Sequence, residues 1–406
     1  MEINKPDVIF KDTSLTEALL SARIQVTSDT RRSIIGNQRD EQISSSSDWI
    51  ITVPIHDSYK HTSFSGEPVL AVAAAQILRL DKSPGLVFRG VDACLGNIFK
   101  ARGERGELFA RLLLTMAHDQ VIGENEDRKN NTRTPPRFTE PIKLIDFLKA
   151  LINDTRLADV LSSKPAERTM VDETLEMAFK DAYINFTHFC RCDDFKVAKF
   201  WFAWQGLFRS AAFMCRAQQP MVDLIIPILF SKPDQGPEHA TLSPENASAV
   251  LIQVKNRATA KKVLFEEKKF KFFDAGGGMS EKDFGKRPYL YLLMELDGGE
   301  WESETDEEKK DQGSVKPTTA PIAKTRLQTE AEKDRPRSLY KIKLDGSSRD
   351  FRSTRNENEG IVRRFLQSSS YSDEHPRLSD ETTKDVFSTN CAICAGGYGN
   401  LVNLET

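Results

Sequence analysis

Residues 221–257 read MVDLIIPILFSKPDQGPEHATLSPENASAVLIQVKNR, and the fold turns on them. Two apolar runs bracket a loop rich in Pro, Glu and Ser. The first, Met221 to Phe230, carries a single charge, Asp223. The second, Ala249 to Asn256, carries a single charge near its end, Lys255. Both runs are rich in Val, Ile and Leu and flanked by turn residues, so both predict buried strands. A buried strand seldom holds an unpaired charge, because taking that charge out of water costs several kcal/mol or more. Side chains alternate along a strand, so Asp223, Ile225 and Pro227 share one face, and Leu251, Gln253 and Lys255 share one face. If the strands are neighbours, a carboxylate, an amide and an ammonium converge on one point.

An Asp, a spacer and then Gln-x-Lys on the next strand resembles the core of the PD-(D/E)xK nuclease superfamily. The likeness is to its Gln-x-Lys branch, which includes the Mrr-like restriction endonucleases, and IQVKNR is its closest part. The resemblance implies that Asp223 holds a divalent metal, that Gln253 helps to hold it, and that Lys255 orients or activates the attacking water. The implied cofactor is Mg²⁺ or Mn²⁺, which favour hard oxygen ligands. The implied fold is α/β: a restriction-endonuclease-like mixed central sheet flanked by helices, with helical insertions and disordered segments. The whole chain also resembles a group of uncharacterised proteins of mushroom-forming fungi, which carry an RGEL-type helix and a similar VDLIIPI…IQVKN stretch. That second likeness supports the fold more than the function.

The stretch 103–119, GERGELFARLLLTMAHD, predicts a helix by composition and length. Its non-apolar members Glu104, Glu107, Arg111, Thr115 and His118 recur every three or four residues and fall on one stripe. A helix buried on most sides with one wet edge explains this pattern. So does a stripe that faces a catalytic cleft. In the resembled superfamily a helix before the strands often adds an acidic metal ligand; Glu107 is the better match and Glu104 the second choice. The long segment between this helix and Asp223 departs from a compact core, so an insertion is expected there.

After Lys255 the chain is locally basic. Residues 255–273 hold seven basic and two acidic residues, a net of +5. Arg257, Lys261 and Lys262 are the candidates to hold a phosphate backbone. A solvated Lys-rich helix face is the bland alternative. The chain as a whole offers no such bias, with 57 basic and 60 acidic residues and a net charge of −3. The Gly-rich loop AGGGMSEKDFGKRP lacks P-loop spacing, so no nucleotide cofactor is expected. The CxxC of Cys391 and Cys394 supplies only two of the four ligands of a structural zinc site.

The remaining chain reads in blocks. Residues 1–48 are polar and predict a loosely ordered extension. Residues 49–296 form the nuclease-like domain, with WIITVP at 49–54 as a short strand and a helix opening at Pro68. A helical insertion spans about 120–200, with helices over 142–161 and about 171–188. The aromatic stretch 200–217 reads as core, with stacking on bases as the alternative, and its end from Ala211 as a strand. Tyr289 to Leu296 is a further strand. Residues 297–337 are sharply polar and predict a disordered linker. Residues 338–366 return a strand and a helix, and 367–406 read as a flexible tail. No apolar run approaches the length of a membrane span and no signal peptide is evident, so the expected setting is intracellular, cytoplasm or nucleus. The oligomeric state is open.

The expected activity is metal-dependent phosphodiester hydrolysis of DNA or RNA. The alternatives are a catalytically inactive nuclease-like fold that binds nucleic acid or protein, and an effector-like or mobile-element protein whose partner is another protein.

Overall fold

The computed structural model describes residues 19–20, 22–24, 50–56, 59–64, 67–79, 102–128, 137–166, 173–192, 198–216, 219–233, 235–257, 265–274, 276, 278–280, 284–296, 337–346, 350–354 and 359–367. Strands are β1 (Ile50–His56), β2 (Tyr59–Phe64), β3 (Ile142–Lys143), β4 (Ala182–Ile184), β5 (His188–Arg191), β6 (Ala211–Met214), β7 (Leu224–Phe230), β8 (Ala247–Lys255), β9 (Tyr289–Glu295) and β10 (Leu339–Asp345). Helices are α1 (Glu67–Arg79), α2 (Arg102–Arg128), α3 (Leu144–Leu151), α4 (Asp154–Ser162), α5 (Leu175–Ala178), α6 (Phe200–Ala203), α7 (Gly206–Arg209), α8 (Glu267–Phe270) and α9 (Glu359–Gln367).

β1 and β2 form a separate antiparallel pair. The other eight strands make one mixed sheet with the path β10-β9-β8-β7-β4-β3. β8, β9 and β10 run parallel to one another, and β7 is antiparallel to β8. The far edge of β7 is shared. β6 pairs with Leu224 and Ile225, and β4 pairs with Ile228 to Phe230. Pro227 falls at this branch. A proline in a central strand is tolerated where the ladder is interrupted. β5 lies parallel to β6 on the outside of that branch.

The central strands read as continuous apolar runs because both faces are covered. Leu224, Ile226, Ile252, Val254, Leu290 and Leu292 pack with the apolar residues of α2, α3 and α9 in one cluster. Ile225, Leu251, Tyr289, Tyr291 and Leu293 pack on the opposite face with Phe200, Phe265, Phe270, Phe272 and Phe284. The protein is thus an α/β fold: a curled mixed sheet flanked by helices. Among the described residues no helix is long and apolar enough to cross a membrane.

Several expectations change here. The helix expected over 171–188 is replaced by the one-turn α5 and by β4 and β5. Its apolar residues pair with β6 and β7, which lie far along the chain, and that pairing outweighs local helix propensity. The expected 142–161 helix becomes a short strand and two helices. The break comes at Ile152, which is extended and bridges Phe351, while the Asn153 amide donates to the Asp350 carbonyl at 2.8 Å. In the stripe along α2, Arg111, Thr115 and His118 are buried, so the wet edge is limited to the first turns, where Glu104 and Glu107 lie. The aromatic stretch from Phe200 is core only in part: Phe200 and Phe213 are buried, Trp201, Phe202 and Trp204 pack partly buried against the same cluster, and Phe208 is exposed.

Within the segment read as a loose extension, residues 19–20 and 22–24 are helical and packed on the sheet domain. Arg23 is fully buried there, with a two-pronged hydrogen bond to Asp119 at 2.7 and 3.0 Å and its Nε donating to the Thr187 carbonyl. Residues 297–336, the tail from 368, and Cys391 with Cys394 lie outside the described residues.

Candidate active site

The expected strand pair forms, and in the expected register. Ile225 pairs with Leu251 and Leu224 with Ile252, so Asp223, one residue before β7, comes opposite Gln253. The Asp223 backbone amide donates to the Ile252 carbonyl at 2.8 Å, which ties it to the end of the ladder. Asp223, Gln253 and Lys255 therefore share the face that also carries Tyr291.

The Lys255 ammonium stands 3.7 Å from Asp223 Oδ2. The same oxygen accepts the backbone N–H of Val254 at 2.7 Å. The Asp223 side chain is 12% exposed and that of Lys255 27%, so the pair sits at the rim of the core with one side toward water. Burial pushes the Asp223 carboxyl up, and Lys255 and the Val254 N–H pull it back only in part. A register slip of one residue would have sent either group to the opposite face.

Glu107 joins them from α2, but by a different route than expected. The body of α2 lies over the opposite face of the sheet, since Leu108, Phe109, Leu112 and Leu113 pack with Leu224, Ile252 and Val254. Only its first turns reach the end of β8. Asn256 fixes them there, its Nδ2 donating to the carbonyls of Arg102 at 2.8 Å and of Leu366 at 3.0 Å. Gly106 is required at this contact, because a Cβ would come 2.5 Å from Asn256 Cβ. Glu107 then lies near enough to both Asp223 and Lys255 for each to act on its carboxyl. Burial first, and the Asp223 charge second, raise that carboxyl from 4.5 to about 7. The buried Arg111 on the next turn is lowered to about 10, mainly by burial, with Glu107 opposing the shift.

Gln253 is buried, and its Oε1 accepts the Tyr291 hydroxyl at 2.6 Å. Glu295 follows Tyr291 on the same face and lies in register with Lys255. It binds Arg257 at 3.1 Å and Lys343 at 3.0 Å. These two cations hold the Glu295 carboxyl below its usual range despite partial burial. Of the basic residues expected to meet a phosphate backbone, Arg257 is thus held in an ion pair with Glu295, and Lys261 and Lys262 lie outside the described residues.

The donor set suits a hard cation. The Asp223 and Glu107 carboxylates act on one another, and a divalent ion would relieve that repulsion. Among the described residues no group of three or more His, Cys, Asp and Glu side chains is gathered as a metal site. A cation here would lean on the two carboxylates. Tyr291 and Glu295 were not singled out from the sequence. The alternation of YLYLLMEL places them on one face, but only the parallel register of β9 against β8 brings that face to Gln253 and Lys255.

No family model matches the chain, and no characterised relative and no solved structure matches it.

Proposed function

We propose that the protein is a metal-dependent phosphodiesterase acting on DNA or RNA, with a restriction-endonuclease-like core. One observation carries the reading: Asp223 and Lys255, the lone charges of two apolar strands, meet at 3.7 Å beside Gln253 and Glu107. Buried in separate apolar places each charge would carry a full desolvation penalty, which a shared site offsets in part.

Asp223 and Glu107 would hold Mg²⁺ or Mn²⁺ through their carboxylates, and the resemblance assigns the Gln253 amide oxygen to the same shell. When bound, the metal polarises a phosphate oxygen and makes an attacking water more acidic. The chain's own groups do the rest. The Lys255 ammonium offsets negative charge that grows on the phosphate in the transition state. The Val254 N–H keeps Asp223 Oδ2 turned toward Lys255. Glu107 must give up its proton before it holds a cation, so metal affinity rises with pH.

The test is purified protein incubated with plasmid DNA and single-stranded RNA in Mg²⁺, in Mn²⁺ and in EDTA. Metal-dependent cleavage is expected, lowered by about 100-fold or more in Asp223→Ala and in Lys255→Ala, the scale of losing one transition-state contact. Cleavage that survives in both purified variants rejects the assignment. A second reading, a nuclease-like fold that binds without cutting, is favoured by the Tyr291 hydrogen bond that occupies Gln253 Oε1. Binding of the nucleic acid with no cleavage in any metal selects it.

A further inference from the structure

Tyr291 is nearly fully buried, and its ring stacks on Phe265 with centroids 4.3 Å apart. The stack leaves its hydroxyl fixed against Gln253 at 2.6 Å. That length belongs to an O–H···O bond and is shorter than N–H···O bonds run. The phenol therefore donates, and the amide oxygen is the atom turned to Tyr291. A planar amide with its oxygen held on the β9 side turns its nitrogen away from β9. That nitrogen has no hydrogen-bond partner among the described residues, at a point where Asp223 and Lys255 open toward water. Lys255 is a cation there, and an amide N–H beside it presents a second donor to an anionic oxygen.

We propose that Tyr291 is a positioning residue that locks the Gln253 amide with its nitrogen outward, so that Gln253 binds a non-bridging phosphate oxygen of the substrate and is not a metal ligand. This rests on the phosphodiesterase reading and reassigns one residue within it. Gln253 and Lys255 then hold the phosphate, and Asp223 and Glu107 are left to the cation.

Tyr291→Phe tests this with little risk to the fold, since the ring keeps its stack on Phe265. Two affinities are measured for the wild type, Tyr291→Phe, Gln253→Leu and the double variant. Mn²⁺ binding is read from the paramagnetic signal of the free ion. Binding of a fluorescein-labelled duplex DNA and of a labelled single-stranded RNA is read by anisotropy, with Ca²⁺ in place of Mn²⁺. Nucleic-acid binding is expected to weaken about tenfold in each single variant, the scale of one hydrogen bond to a charged group. The double variant is expected to be no weaker than Gln253→Leu, because Tyr291 acts only through Gln253. Mn²⁺ affinity is expected to stay unchanged. Weaker Mn²⁺ binding in Gln253→Leu overturns the inference, as does full nucleic-acid binding in Tyr291→Phe or losses that add in the double variant. A wild type that binds neither Mn²⁺ nor nucleic acid overturns the phosphodiesterase reading and this inference together.

Discussion

Replacing Glu107 by Gln isolates the one carboxyl whose proton affinity the site changes most clearly. Its folded value is raised from 4.5 to about 7, by burial and then by Asp223. Between those two values the folded protein holds a proton that the unfolded chain has released. Stability therefore falls as pH rises through this window. It is fully present below 4.5 and lost above about 7. At about 1.36 kcal/mol per unit of pH, the window is worth up to about 3 kcal/mol. Glutamine mimics the protonated carboxyl and does not titrate. Glu107→Gln should match the wild type near pH 4.5 and exceed it by up to about 3 kcal/mol near pH 8.5. Urea denaturation followed by tryptophan fluorescence, in EDTA at several pH values, measures the difference. Saturating Mn²⁺ should erase the advantage at high pH, since a cation bound to the carboxylates stabilises only the wild type. Parallel pH profiles for the two proteins would show that burial and Asp223 do not raise the Glu107 carboxyl. A variant less stable than the wild type at high pH would show the same.

Two further outcomes test how the site is held. Arg23→Met leaves Asp119 and the Thr187 carbonyl without their buried donor, and it should destabilise the protein by about 3–5 kcal/mol in thermal or urea unfolding. A loss below about 1 kcal/mol would show that residues 19–24 only rest on the core. Gly106→Ala forces the start of α2 away from Asn256, at a cost of about 1–3 kcal/mol. It should also weaken Mn²⁺ binding, because Glu107 moves with that turn; unchanged Mn²⁺ affinity would separate the helix start from the site.

Much of the sheet was legible in local pattern. β7, β8 and β9 are apolar runs flanked by turn residues, β10 alternates apolar and polar residues, and each lies within a few residues of its expected position. The period of two put Asp223 on the face of Ile225, and Gln253 and Lys255 on the face of Leu251, before any neighbour was known. The α2 helix was legible for the same reason, as a long run of strong helix formers.

Tertiary structure decided what depends on partners remote along the chain. His188 to Arg191 is a strand because Ala211 to Met214 lies beside it, and nothing local distinguishes it from a helix turn. The side on which α2 packs followed from which face of the sheet could bury Leu108 and Leu112, not from the stripe of Glu104 to His118. Arg23 looked like one more charge in a polar extension until Asp119 and Thr187 closed around it. Tyr291 read as a strand aromatic until the β8–β9 register set its hydroxyl on Gln253. A strand announces its own faces through side-chain alternation, but which groups meet across those faces is set by pairing and packing between distant segments.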